Sequence, residues 1–216
     1  MKEQTSLLEP NPRVILDDVE RGCRVTYEPR FLPPAFADRL FTELSQGAPW
    51  ETEAPVVFGR AIEVRRRSCA FGDPGLVYRY SGLERVAHPW SEALARLVQL
   101  LASAVSTRFN FALANLYIDG DAALGWHSDD ERDLERDAPI ASISLGETRD
   151  FALRLRDPSA RARPAITTAL EHGSLLVMAG ATQRLYQHRV PPRKRAAGAR
   201  VSLTFRRIVR VTPAGA

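Results

Sequence analysis

Three residues in the C-terminal half have types and spacing that suit a divalent metal. His127 and Asp129 are separated by one residue. In a strand, positions i and i+2 face the same side, so both side chains would enter one pocket. His188 follows 61 positions after His127, which leaves room for several returning strands. Two imidazoles and one carboxylate form the facial triad of non-haem Fe(II) oxygenases, which leaves open positions for a cosubstrate and O2. Taken alone, the same spacing fits two solvated polar residues beside a turn. His88, just before Pro89, and His172, in a Glu-His-Gly turn, are weaker partners.

A second constellation lies near the C-terminus. In the run from Arg200 to Arg206, Val201, Leu203 and Phe205 take one face, and Arg200, Ser202, Thr204 and Arg206 take the other. The two arginine Cα atoms would be ~20 Å apart at ~3.3 Å per residue, so their side chains could lean inward on opposite ends of a small diacid. Buried guanidinium groups are costly unless anions satisfy them. A solvated polar outer face is the competing reading. Asn115 and Tyr117 share a face on an earlier run and could add neutral hydrogen bonds.

The elements that must position these residues divide the chain in two. Short β runs occur at Val14 to Leu16 and Arg24 to Tyr27. The pair Pro33-Pro34 opens a helix over about 35–45, with Phe36, Leu40, Phe41 and Leu44 on one face and Gly47 ending it. Residues 55–80 read as short strands with turns at Gly59 and at 72–75. A second helix starts at Pro89 and carries the stripe Leu94, Leu97, Val98, Leu101 and Val105. Beyond Thr107 the pattern is short strands with no helix among them, which predicts an antiparallel sandwich or barrel, a jelly roll among the options. Residues 191–199, with Pro191-Pro192, a basic triplet and Gly198, read as an exposed loop.

Composition bounds the function. The chain has 216 residues, 44% hydrophobic and 26% charged, which is globular composition. Two cysteines, Cys23 and Cys69, make neither a disulfide framework nor a four-cysteine zinc site. No secretory signal and no apolar run of ~20 residues is present, so no membrane partner is expected. The net charge of +4 hides an asymmetry: from His172 onward there are nine basic and no acidic residues, which leaves the preceding 171 residues at −5. A polyanion partner would need such a face. The basic residues are nearly all Arg, which suits bidentate phosphate contacts but equally reflects a GC-rich genome.

An ordered series of motifs carries a family resemblance. Asn115-Leu116-Tyr117, Asp119-Gly120-Asp121, Trp126-His127-Ser128-Asp129-Asp130-Glu131 and Pro139 to Gly146 come first. His172 to Met178, His188-Arg189-Val190-Pro191 and Arg200 to Arg206 follow. Together they resemble the AlkB family of Fe(II)/2-oxoglutarate-dependent dioxygenases, in order from about residue 55 to 209. The resemblance implies a mainly β fold with flanking helices. Its core would be a double-stranded β-helix (jelly roll), with an N-terminal α/β nucleotide-recognition extension. The implied division is a tail at 1–12, the extension at 13–110, the dioxygenase core at 111–210 and a tail at 211–216. It implies Fe(II) on His127, Asp129 and His188. Arg206 would meet the C1 end of 2-oxoglutarate. Arg200, with Asn115 and Tyr117, would meet its C5 carboxylate, and Ser202 and Thr204 would line the same face. Ser202 departs from the Asn common there in relatives. The family's reaction uses O2 to decarboxylate 2-oxoglutarate and hydroxylates an N-alkyl group on a base, which then loses an aldehyde.

The resemblance also implies the substrate. A base in a duplex must be extruded before the metal can reach it. Val57-Phe58-Gly59-Arg60 resembles the intercalating finger of the duplex-DNA-acting AlkB homolog branch, and an apolar wedge can fill the gap of a flipped base. Arg65, Arg66 and Arg67 follow as phosphate-contact candidates. Tyr78 and Tyr80 share a strand face and would line the base pocket, Asp130 would contact the base, and Arg193-Lys194-Arg195 matches a DNA-gripping loop. The expected partner is alkylated DNA, duplex over single strand, met by a monomer. The location would be cytoplasmic and nucleoid-associated in a bacterium, or nuclear in a eukaryote. An RNA demethylase, an oxygenase of protein or small molecules, and a non-catalytic nucleic-acid-binding module are the alternatives.

Overall fold

The computed structural model describes residues 12–52, 56–57, 60–61, 65–80, 83–160, 163–196 and 198–209. The first half gives β1 (Arg13–Asp18), β2 (Cys23–Glu28), α1 (Pro34–Gly47), β3 (Glu51–Thr52), β4 (Val56–Val57), β5 (Arg60–Ala61), β6 (Arg66–Gly72), β7 (Val77–Tyr80), β8 (Leu83–Val86) and α2 (Glu92–Val105). The second gives β9 (Phe111–Tyr117), β10 (Leu124–His127), β11 (Ile140–Gly146), β12 (Arg149–Leu155), β13 (Ile166–Leu170), β14 (Ser174–Gly180), α3 (Thr182–Leu185), β15 (Tyr186–Val190) and β16 (Arg200–Arg206). A large sheet runs in the order β1-β2-β14-β11-β16-β9-β6-β3, and a small one in the order β10-β15-β12-β13. This is the jelly-roll arrangement expected from the run of short strands. Strands from before residue 110 flank both ends of the large sheet, so that boundary falls within one continuous sheet. Among the described residues, no helix is long and apolar enough to cross a membrane.

Period-2 patterning decides which face of the large sheet is dry. Val201, Leu203 and Phe205 of β16 join Ala112, Ala114 and Leu116 of β9 and Ala141, Ile143 and Leu145 of β11. Against them lie Phe36, Ala37, Leu40 and Leu44 of α1 and Leu94, Leu97 and Leu101 of α2, all in one core. The first helix begins with Pro34 in its first turn, where a missing N–H costs nothing. The second begins three residues later than the proline signal suggests, at Glu92, because the Ser91 side chain accepts from the Leu94 N–H and serves as its cap. Helix α3 was not expected; it is a single turn between two strands, too short for a 3.6-residue period to register.

With the helices on one face, the other face of β9, β11 and β16 is left for the small sheet to cover. Arg200 and Arg66 both stand opposite Tyr117, and Ser202 stands opposite both Asn115 and Ser144. These cross-strand rows carry the polar side chains inward.

The core under α2 is the simplest part to test. Leu97 has 0% exposure. Leu97→Ala should cost ~2–5 kcal/mol of unfolding free energy in urea titrations. A loss below ~1 kcal/mol would mean that α2 collapses into the space and is not a rigid cover.

Candidate metal and cosubstrate site

The sandwich encloses a cavity whose wall includes every residue expected for metal and cosubstrate: His127, Asp129, His188, Asn115, Tyr117, Arg200, Ser202, Thr204 and Arg206. Leu113, Phe151, Leu170 and Met178 complete it with apolar surface. His127 ends β10 and stands directly opposite His188 in β15, with ring centroids 4.2 Å apart. Asp129 is not on that strand, as i, i+2 alternation supposed. It lies in the loop beyond, where its N–H donates to Gln183 Oε1 (2.9 Å) and its carboxylate accepts from Arg206 Nη2 (2.8 Å). One ligand atom from each of His127, Asp129 and His188 lies within 4.8 Å of the others.

The electrostatics of the triad suit a cation. Burial would raise the Asp129 carboxyl, but Arg206 and the two imidazoles outweigh it and hold its pKa at about 2. Burial, with His127 alongside, depresses His188 to about 3, so its ring is neutral with a lone pair to give. His127 Nδ1 lies 2.8 Å from the Gly125 carbonyl, and a carbonyl can only accept. Nδ1 therefore carries the proton and Nε2 faces Asp129 as the ligand atom.

The two arginines of β16 differ in one respect. Burial would lower the Arg206 pKa, but its Asp129 partner raises it well above the usual arginine value. Arg200 is equally enclosed, at 1% exposure, and burial lowers its pKa. Its Nη2 donates to Ser144 Oγ (2.8 Å), yet its Nε and Nη1 have no hydrogen-bond partner among the described residues. A buried cation with donors to spare can be completed by an anion. A dicarboxylate reaching from Arg200 toward the triad satisfies that deficit, so the residues present fit both Fe(II) and 2-oxoglutarate.

Several side chains stand elsewhere than the sequence suggested. Arg66, expected to face phosphates, turns inward with 5% exposure and lines the cavity. Asp130 is exposed and accepts from Arg156 Nη1 at 2.8 Å, while the next residue, Glu131, points toward Tyr78, Asp129 and Arg206. Glu131 is thus the carboxyl beside the triad, and its pKa is raised by burial and by Asp129. Tyr78 is fully buried against Phe111, with centroids 4.9 Å apart, and Arg206 sits over its ring. Arg193 is tied back, donating to the Thr148 carbonyl (2.9 Å) and lying 3.7 Å from Asp150, while Lys194 and Arg195 are exposed. Val57 pairs with Arg60 in the β4–β5 ribbon; Phe58 and Gly59, and the side chain of Tyr80, lie outside the described residues.

Sequence reasoning missed Ser142 and Ser144, which extend the polar row of β16 onto β11. The alternation of Ile140 to Leu145 could have found them. It also missed Arg149, wholly buried at the start of β12, for which no sequence signal exists.

The 2OG-Fe(II) oxygenase superfamily model matches residues 24–206, and the chain belongs to that family. Within it, the chain is 41% identical to mouse DNA oxidative demethylase ALKBH2 over 81% of this chain and 76% of that protein. It is 40% identical to the human ALKBH2, over 81% and 70%. Human alpha-ketoglutarate-dependent dioxygenase alkB homolog 3 is 34% identical over 86% of this chain and 66% of its own. The solved structure of OsALKBH1 superposes with a TM-score of 0.61 at 20% identity, over 85% of this chain and 97% of that one, which establishes the fold.

The depressed His188 pKa sets a pH dependence. Between its ordinary 6.5 and about 3, the unfolded chain binds a proton at this position and the folded metal-free protein does not. Its stability should therefore fall as pH drops through that window, and Asp129, held at about 2 against 3.8, extends the loss at lower pH. His188→Gln should flatten the pH 6.5-to-4 part of the urea-midpoint curve relative to wild type. Parallel curves for the two proteins would mean that the folded state does protonate this ring.

Proposed function

We propose that the protein is a DNA oxidative dealkylase that restores N-alkylated bases, such as 1-methyladenine and 3-methylcytosine, in duplex DNA with consumption of 2-oxoglutarate and O2. The observation that carries the reading is the cavity itself: an anion-hungry Arg200 at one end and a His127–Asp129–His188 cluster at the other. The named activity of the ALKBH2 relatives at 40–41% identity supports the substrate class.

Each residue then has a stated task. His127, Asp129 and His188 hold Fe(II), which together with 2-oxoglutarate and O2 supplies the oxidising chemistry. Arg200, helped by Asn115, Tyr117 and Ser202, fixes the remote carboxylate of the cosubstrate, while Thr204 lines the wall between the two arginines. Arg206 stands at the metal end, where it also holds Asp129 in its binding geometry. Leu113, Phe151, Leu170 and Met178 keep water from the cosubstrate. Glu131 and Tyr78 stand beside Arg206 and Asp129, next to the metal ligands, where an extruded base would be read. Tyr80, two residues beyond Tyr78 in β7, and Asp130, paired with Arg156, are further candidates for contact with the base. The segment Val57-Phe58-Gly59-Arg60 supplies the wedge by its resemblance to an intercalating finger, and Arg193 anchors the basic segment so that Lys194 and Arg195 meet the phosphates.

Two variants test the assignments. His188→Ala should abolish formaldehyde release from oligonucleotides carrying 1-methyladenine while duplex binding stays within a few-fold; residual turnover near wild type would remove His188 from the metal. Phe58→Ala should lower release from duplex and spare single strands. Equal effects on both would discard the wedge, and no release from either strand form by the wild type would point to a different oxygenase substrate.

A further inference from the structure

Arg149 has no part in that chemistry, yet with Arg200 it is among the largest fully buried side chains of the described residues. Its guanidinium donates to four backbone carbonyls: Asp119 (3.0 Å), Gly120 (3.3 Å), Ala122 (2.7 Å) and Pro191 (2.9 Å). Burying this cation is costly, and these carbonyls are what offset the cost. They belong to two segments far apart in sequence. Residues 119–122 form a turn closed by Asp119 Oδ1, which accepts from the N–H groups of Asp121 (3.0 Å) and Ala122 (2.9 Å). That turn leads into β10. Pro191 directly follows β15.

The same two segments touch at Gly120. Its carbonyl accepts from the Arg193 N–H at 2.7 Å. A Cβ there would come within 2.1 Å of the Arg193 carbonyl oxygen and 2.7 Å of that of Ala196, so only hydrogen fits.

What these contacts join is the pair of strands bearing His127 and His188. The β10–β15 ladder has two partnered positions, Leu124↔Val190 and His127↔His188, with an irregularity between them. Repeated pairs normally fix a register, and here there are few. Arg149 and Gly120 close the ladder just beyond Leu124↔Val190, at the end away from the imidazoles.

We infer that Arg149, with Gly120, is a positioning pair that holds His127 opposite His188 and so sets the metal site from outside it. The inference rests on the ligand assignment above. Arg149 touches no ligand atom; it acts through the 119–122 turn and Pro191.

The test uses Co(II) as probe, titrated into the full-length metal-free wild type, Arg149→Lys and Gly120→Ala, and followed by visible absorption. Near-UV circular dichroism of the metal-free proteins reports the fold. Lysine keeps the charge but cannot reach four carbonyls, and alanine at 120 forces the two segments apart while leaving Arg149 in place. Both variants should keep native near-UV spectra and bind Co(II) ~10- to 100-fold more weakly, the range for residues that orient ligands from behind. Wild-type Co(II) affinity in a folded Arg149→Lys overturns the inference. If Arg149→Lys does not fold, Gly120→Ala decides by the same criterion. Loss of native spectra in both also overturns it, since the pair would then hold the fold and not the ligands. A wild type that takes up no Co(II) refutes instead the ligand assignment on which the inference rests.

Discussion

The ion pair between Arg206 and Asp129 ties together the parts of this protein that chain order keeps apart. Its partners are 77 residues apart, 2.8 Å from each other and almost entirely enclosed. An enclosed pair of this kind adds little net stability, but removing either partner leaves an uncompensated charge. The loop after β10 is therefore held against the last strand, and Asp129 reaches the imidazoles although no strand carries it there. The carboxylate stays ionised despite its burial because Arg206 and the histidines favour the charge.

Arg200 is the same chemistry left incomplete. Both arginines sit on the inward face of β16, both are buried, and among the described residues one has a carboxylate partner while the other does not. The missing charge leaves room for an anion brought from outside to complete the pair. A wall that satisfied Arg200 internally would be more stable and would bind nothing. Tyr117 sits between Arg200 and Arg149, with guanidinium carbons 5.1 and 5.4 Å from its ring centroid, so the cosubstrate end is braced by aromatic contact as well as by hydrogen bonds.

Where the sequence was legible, a strict period was the reason. The alternation from Arg200 to Arg206 separates an apolar face from a polar one so cleanly that both the helix-covered core and the cavity wall follow from it. The helical stripe from Leu94 to Leu101 was equally plain, because three of its residues have 0% exposure. Legibility failed where charge outweighed pattern. Arg65, Arg66 and Arg67 read as one basic run, yet pairing with β9 turns Arg66 inward and leaves its neighbours outside. Arginine is so seldom fully buried that neither Arg66 nor Arg149 would be assigned to an interior from type alone. The expectation that Asp130 meets the base comes from resemblance and not from pattern; β10 ends at His127, and in the loop beyond it Asp130 pairs with Arg156 while Glu131 turns toward Asp129.

Two arginines of one run with opposite fates also bear on how the outer surface works. The positive charge of the last 45 residues suggested a continuous basic face. In the fold much of it is spent inward or paired: Arg200 and Arg206 in the cavity, Arg184 on Asp137, Arg207 on Glu135, Arg193 on Thr148 and Asp150. Lys194 and Arg195 remain exposed at the tip of the segment that Arg193 anchors. A polyanion approaching this segment would therefore meet a small, firmly mounted basic point just beyond β15. Such a point fixes the register of a bound backbone but carries no sequence information. Apart from that surface, Glu131 and Tyr78 lie against the Arg206–Asp129 pair beside the triad.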